Sequence, residues 1–158
     1  MVAELGHFTL ILALTIALVQ AFFPLVGAQR GNNAWIALAQ PTAIFQFLLV
    51  AISFGCLTQL YVTSDFSVVN VVKNSNTAMP MLYKISGVWG NHEGSLLLWV
   101  LILAIFGAAV AAFGNNLPPE FRARVLSVQS MIAIGFYTFI LFTSNPFERV
   151  FPPPMNGR

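Results

Sequence analysis

An all-α integral membrane protein with four transmembrane helices is the fold class that this 158-residue sequence predicts. Three observations carry the prediction. First, only 8% of the residues are Asp, Glu, Lys or Arg, against the ~25% of a soluble domain, and 58% are hydrophobic. A chain of this size cannot cover itself with water-compatible groups, so lipid must surround most of it; the mean hydropathy of +0.80 agrees. Second, four apolar stretches, approximately Phe8–Val26, Ala43–Val62, Gly94–Phe113 and Val125–Phe142, approach the ~20 residues that cross ~30 Å of hydrocarbon as a helix. Third, all seven Lys and Arg and all five Asp and Glu residues fall outside these stretches. Backbone groups in lipid must be paired within the segment, which makes each stretch a helix.

The first span starts almost at Met1, lacks a basic flank and exceeds the ~7–15 apolar residues of a signal peptide, so it reads as a retained transmembrane helix. Its polar residues are Thr9, Thr15 and Gln20; the second span holds Gln46, Ser53, Thr58 and Gln59, and the fourth Ser127, Gln129 and Ser130. Interhelical hydrogen bonds of ~0.6 kcal/mol each account for them. No charged side chain sits at membrane depth to mark an ion path, which argues against a small transporter.

The short connections, around "GAQRGNNAW" and "GNNLPPEFRAR", contain Arg30, Arg122 and Arg124, opposed only by Glu120. The positive-inside rule puts them in the cytoplasm, and the chain ends, the loop 63–93 and the tail 143–158 outside. In the loop, the β-branched run Asp65–Val72 suggests a short strand or extended segment and Lys73–Thr77 a turn. Pro80–Trp89 suggests a short interfacial helix with Lys84 reaching for water. The proline-rich tail reads as a linker, so residues 1–158 are expected to form the N-terminal four-helix module of a larger helical bundle.

A formal net charge of +2 without any basic run gives no support to nucleic-acid binding. The single Cys56, inside the second span, excludes an internal disulfide and a CxxC or CxxCH motif; it reads as a packing residue.

The informative stretch is "GVWGNHEGSLLLW", Gly87 to Trp99. Asn91 suits the N-cap of the third span, and Glu93 its first turn, where the helix dipole favours negative charge by ~0.3–1 kcal/mol. Gly87, Gly90 and Gly94 permit turns or close contact, and Trp89 suits the aromatic belt. That structural reading leaves two residues poorly explained. His92, Ser95, Leu96 and Trp99 share one helical face, and Trp99 lies ~10 Å deeper than His92 at 1.5 Å per residue. Such a face is expected to meet a protein interior, another subunit or a flat ligand. No second ligand stands at helical spacing from His92, so no metal site is predicted. His7 is the only other histidine, and the two meet only if the first and third spans touch.

"WGNHEGSLLLW" closely resembles the W-G-x-H-E-G-S-L-L-L-W signature of CcmF-type cytochrome c haem lyases. "DFSVVNVVKNSN", "PMLYKISGVW" and "FTSNPFERVFPPPMNGR" are also similar to that family, in the same order and spacing. The resemblance implies a multi-pass protein of the bacterial inner membrane, with more than four helices and a tryptophan-rich segment on the outer face. It implies partners: the haem chaperone CcmE, a CcmH-type thiol protein, apocytochrome c and the remaining CcmF helices. The implied reaction adds the haem vinyl groups to the two thiols of a CxxCH motif. Family members also hold a haem b, whose ligands lie beyond Arg158, so this segment is not expected to catalyse alone and has no catalytic residue assigned. Trp89, Gly90, His92, Glu93, Gly94, Ser95 and Trp99 are the motif residues expected to support a haem or partner site. The alternative is a non-catalytic four-helix scaffold subunit of a respiratory or assembly complex.

Overall fold

The computed structural model describes residues 2–75, 77–114, 116–143 and 145–148. Seven helices account for most of them: α1 (Val2–Arg30), α2 (Asn33–Ile36), α3 (Ala39–Val62), α4 (Val69–Asn74), α5 (Met81–Gly90), α6 (His92–Phe113) and α7 (Pro119–Thr143). Four stretches, Val2–Arg30, Asn33–Val62, Glu93–Phe113 and Pro119–Thr143, are long and apolar enough to cross a membrane. The helices run past the apolar spans where charged residues stand at their ends, such as Glu4 and Arg30 of α1 and Glu120 of α7. Long charged side chains in a terminal turn can reach water while the backbone stays helical.

The spans form an up-and-down bundle. α1 packs along α3 and α7, α6 closes against the same two helices, and α3 and α7 touch across the middle. α1 and α6 therefore occupy opposite corners. Gly31, at φ +70, ends α1, and Asn32 starts α2 by accepting from the amides of Ala34 at 3.1 Å and Trp35 at 3.4 Å. A main cluster containing Leu10, Val50, Leu57, Val100, Tyr137 and Ile140 fills the centre. A second cluster, built mostly from alanines such as Ala39, Ala43, Ala111 and Ala123, fills the arginine-bearing end.

The polar residues of the spans are tied into this core. Tyr137 donates to Gln46 Oε1 at 2.7 Å, and Gln46 Nε2 donates to Gln20 Oε1 at 3.0 Å. Gln20 Nε2 donates to Gln129 Oε1 at 2.9 Å and to the Leu126 carbonyl at 2.8 Å. Gln129 Nε2 donates to the Leu103 carbonyl at 3.1 Å, which carries the chain into α6. One continuous hydrogen-bonded string thus joins all four spans. Gly107 makes room for it, because a Cβ there would stand 3.0 Å from the Gln129 amide. Along α1, buried small residues let neighbours reach its backbone: Ser130 donates to the Ala17 carbonyl at 2.7 Å and Ser53 to Gly6 at 3.0 Å.

At the opposite end from the arginines, the chain between α3 and α6 forms a cap, and two expectations are corrected there. Asp65–Val72 is not a strand: only Val68 is extended, and α4 begins at Val69. Asp65 Oδ1 accepts from the amide and hydroxyl of Ser67, turning the chain so that Phe66, Val68 and Val71 are buried. β-Propensity reflects a fit to a pleated neighbour, and no sheet is available among the described residues. Lys84 does not reach for water; it is 8% exposed, because α5 turns Lys84 and Val88 inward and leaves Leu82, Ile85 and Trp89 outward. The segment after α7 returns over the same cap. The Val69 amide donates to the Glu148 carbonyl at 2.7 Å, and the Phe147 ring lies against Gly6, where a Cβ would be 2.5 Å away.

Replacing Gln46 with Leu strands the Tyr137 hydroxyl donor and the Gln20 Oε1 acceptor, and is expected to cost ~1–2 kcal/mol. Thermal unfolding in detergent should register this as a lower midpoint, while Gln59→Leu, on the exposed surface of α3, stays within ~0.5 kcal/mol.

Candidate functional site

The tryptophan–histidine motif lies where α5 ends and α6 begins. Asn91, extended at φ −109 and ψ 167, separates them. Its Oδ1 accepts from the Gly94 amide at 2.7 Å, which caps α6 as the sequence predicts. Its Nδ2 donates to the Gly87 carbonyl at 2.7 Å, so one side chain closes α5 and opens α6.

Asn91 also belongs to a ring of three side chains. Tyr61 donates to Asn70 Oδ1, Asn70 Nδ2 donates to Asn91 Oδ1 at 3.1 Å, and Asn91 Nδ2 donates to the Tyr61 hydroxyl at 3.0 Å. The ring links the end of α3, the short α4 and the α5–α6 junction. Asn74 adds a bond from Nδ2 to the Asn70 carbonyl at 2.9 Å. Each member both donates and accepts, an arrangement in which neutral hydrogen bonds reinforce one another.

Gly94 is required by contact rather than by backbone conformation. A Cβ on it would lie 1.6 Å from the Val88 carbonyl oxygen, so any side chain forces α5 and α6 apart. Gly90 has open space where a Cβ would be. Glu93 sits half-buried in the first turn of α6. Trp89 is 43% exposed and Trp99 60% exposed, with Ser95 and Leu96 half-buried between them. His92 begins α6, and its side chain lies outside the described residues. The motif residues therefore divide into an internal set, Asn91 and Gly94, that fixes the junction, and an outward set, Trp89 and Trp99, that frames it.

His7 is carried by α1 at the corner opposite α6, so the bundle does not pack the two histidine-bearing helices together. Its Nδ1 is buried without a hydrogen-bond partner among the described residues. No group of three or more His, Cys, Asp or Glu residues among the described residues can hold a metal ion. Tyr61, Asn70 and Asn74 were not singled out by sequence reading. The signal available for Asn70 was its polarity inside the apolar run "VVNVV".

Asn91→Ala removes the cap, leaves Asn70 Nδ2 without its acceptor and takes away the donor to the Tyr61 hydroxyl. Together these are expected to cost ~2–4 kcal/mol, measured as a fall in the unfolding midpoint in detergent. Gly94→Ala should be comparably damaging and Gly90→Ala nearly silent, which separates the contact requirement from a general preference for glycine.

Comparisons with known proteins place this geometry. A family model described as Cytochrome C assembly protein matches residues 89–157, beginning at Trp89 of the motif. The chain is 63% identical over its whole length to the cytochrome c-type biogenesis protein ccl1 of Rhodobacter capsulatus, of which it covers 24%. It is 45% identical over its whole length to the cytochrome c-type biogenesis protein CcmF of Escherichia coli, covering 25% of it. A solved structure titled Cytochrome c Heme Lyase CcmF matches 94% of this chain at TM-score 0.88 and 26% identity, with 25% of that chain covered. The chain thus spans about a quarter of the length of these relatives. Its four membrane-spanning helices, its motif and its similarity along the whole sequence make it a member of the CcmF family of cytochrome c biogenesis proteins, of which it is the N-terminal portion.

Proposed function

We propose that this segment is the N-terminal wall of a cytochrome c haem lyase. In that role it helps to pass haem from the chaperone CcmE to the CxxCH thiols of apocytochrome c, alongside a CcmH-type thiol protein. The observation that carries the reading is the α5–α6 junction. Asn91 and Gly94 hold the motif rigidly, so that Trp89 and Trp99 flank the start of α6 on an outward surface. In the reaction each thiol S–H adds across a haem vinyl group to form a thioether, with no leaving group. The demand on the protein is to hold a flat apolar substrate and two cysteines together, and positioning of this kind lowers the barrier of a bimolecular step.

On this proposal the ligands of the family's haem b lie outside this segment, whose two histidine-bearing helices stand at opposite corners of the bundle. We therefore assign no iron ligand here and no lyase activity to the segment alone. His92→Ala in the complete protein is expected to lower the yield of holocytochrome c at normal expression; an unchanged yield removes His92 from the site.

The same proposal places the segment in the bacterial inner membrane with the cap formed by α4 and α5 in the periplasm. Arg30, Arg122 and Arg124 at the opposite end support that orientation. A cysteine introduced at the exposed Ala78 should react with a membrane-impermeant maleimide applied from the periplasm. One at the exposed Asn116 should react only after the membrane is opened. The reverse pattern overturns the orientation.

A further inference from the structure

The outer surfaces of the bundle are apolar all round, but they are not equivalent. Between α6 and α7 runs a groove of about 450 Å³ lined by Leu96, Ile132, Gly135, Phe136 and Phe139. Gly135 forms an open floor, because nothing lies within 4 Å of where its Cβ would be. Trp99 is one turn beyond Leu96 on the same side of α6. Its indole N–H, ~10 Å inside the start of the helix, has no hydrogen-bond partner among the described residues.

Two hydroxyls on the flanks of the spans are satisfied by their own helix. Thr15 donates to the Ile11 carbonyl at 3.1 Å and Thr58 to Phe54 at 3.0 Å. An indole N–H cannot turn back on its own backbone in this way, and lipid tails offer no acceptor. The second large outer groove lies between α3 and α6. It is lined by Ile44, Phe47, Ile105, Ala108, Ala109, Ala112 and Phe113, none of which carries a polar side chain.

We infer that the α6–α7 groove is the seat of a membrane-spanning helix supplied by the rest of the CcmF-type protein, with Trp99 donating to that helix. The segment covers about a quarter of each of these relatives, so in a protein of their length the remaining three quarters of the chain is available to supply such a helix. Glycine floors allow close backbone approach between helices in lipid, where packing and interhelical hydrogen bonds, rather than the hydrophobic effect, drive association. Donor, glycine floor and groove coincide on this face. The inference rests on family membership and on no haem chemistry, so it stands or falls separately from the lyase reading.

The test uses the complete CcmF-type protein carrying this segment. p-Benzoylphenylalanine at Ile132, which is 52% exposed here, should cross-link on illumination to a peptide beyond residue 158 of the same protein. Trp99→Phe, which keeps a ring but removes the donor, should reduce that yield several-fold. Gly135→Leu should lower the unfolding midpoint by several degrees and Gly55→Leu should not, although neither glycine has a neighbour within 4 Å of its Cβ position in this segment. Cross-linking only to lipid or to a second copy, or equal shifts for the two glycine variants, overturns the inference.

Discussion

The cap of this bundle depends on one closed hydrogen-bonded ring, Tyr61–Asn70–Asn91. It joins a membrane-spanning helix, a six-residue helix that could not persist alone, and the junction that carries the motif. Without the ring, α4 has no reason to be helical and α5 no fixed angle to α6. Neutral groups suit this task at the edge of a membrane: they fasten the chain without the desolvation penalty that a buried ion pair would carry. Gly94 completes the arrangement sterically, since the Val88 carbonyl occupies the space a side chain would need.

Deeper in the membrane, the glutamine string from Tyr137 to Leu103 acts on the register of the spans. The helices are nearly uniform in hydrophobicity, and alanine-lined surfaces slide easily past one another. A string that is satisfied in only one alignment makes that alignment distinct, at little net gain in stability. The ring and the string thus divide the work: one fixes the cap, the other the bundle beneath it. Between them they leave Trp89 and Trp99 outside the satisfied network, as a surface directed at something else.

Much of this was legible in the sequence, because the membrane imposes simple rules. Four uncharged runs imply four helices, and Asn91 before an apolar run implies a cap. The family motif was readable as a string of letters. The short elements of the cap were less legible. Asp65–Val72 reads as a strand because its composition is β-like, yet its conformation is set by Asp65 turning the chain and by Asn70 bonding residues 9 and 21 positions away. Lys84 reads as a snorkelling residue because that is what a lysine beside lipid normally does. Which face of a ten-residue helix turns inward is decided by its neighbours, and here Val88 and Lys84 share the buried side. Gly94 differs again: its presence in the motif is plain, but the carbonyl that excludes a side chain there is visible only in three dimensions.

The contact between Phe147 and Gly6 bears on the order of events during synthesis. α1 leaves the ribosome first, and its cap-side neighbour follows more than a hundred residues later. At ~5–20 residues per second the interval is on the order of ten seconds. Over that time the Gly6 surface is uncovered, and Ser53 can engage it well before Phe147 arrives. The bundle must then be finished by a latch thrown from beyond its fourth span, so that a ribosome stalled short of residue 147 leaves an inserted but unlocked intermediate.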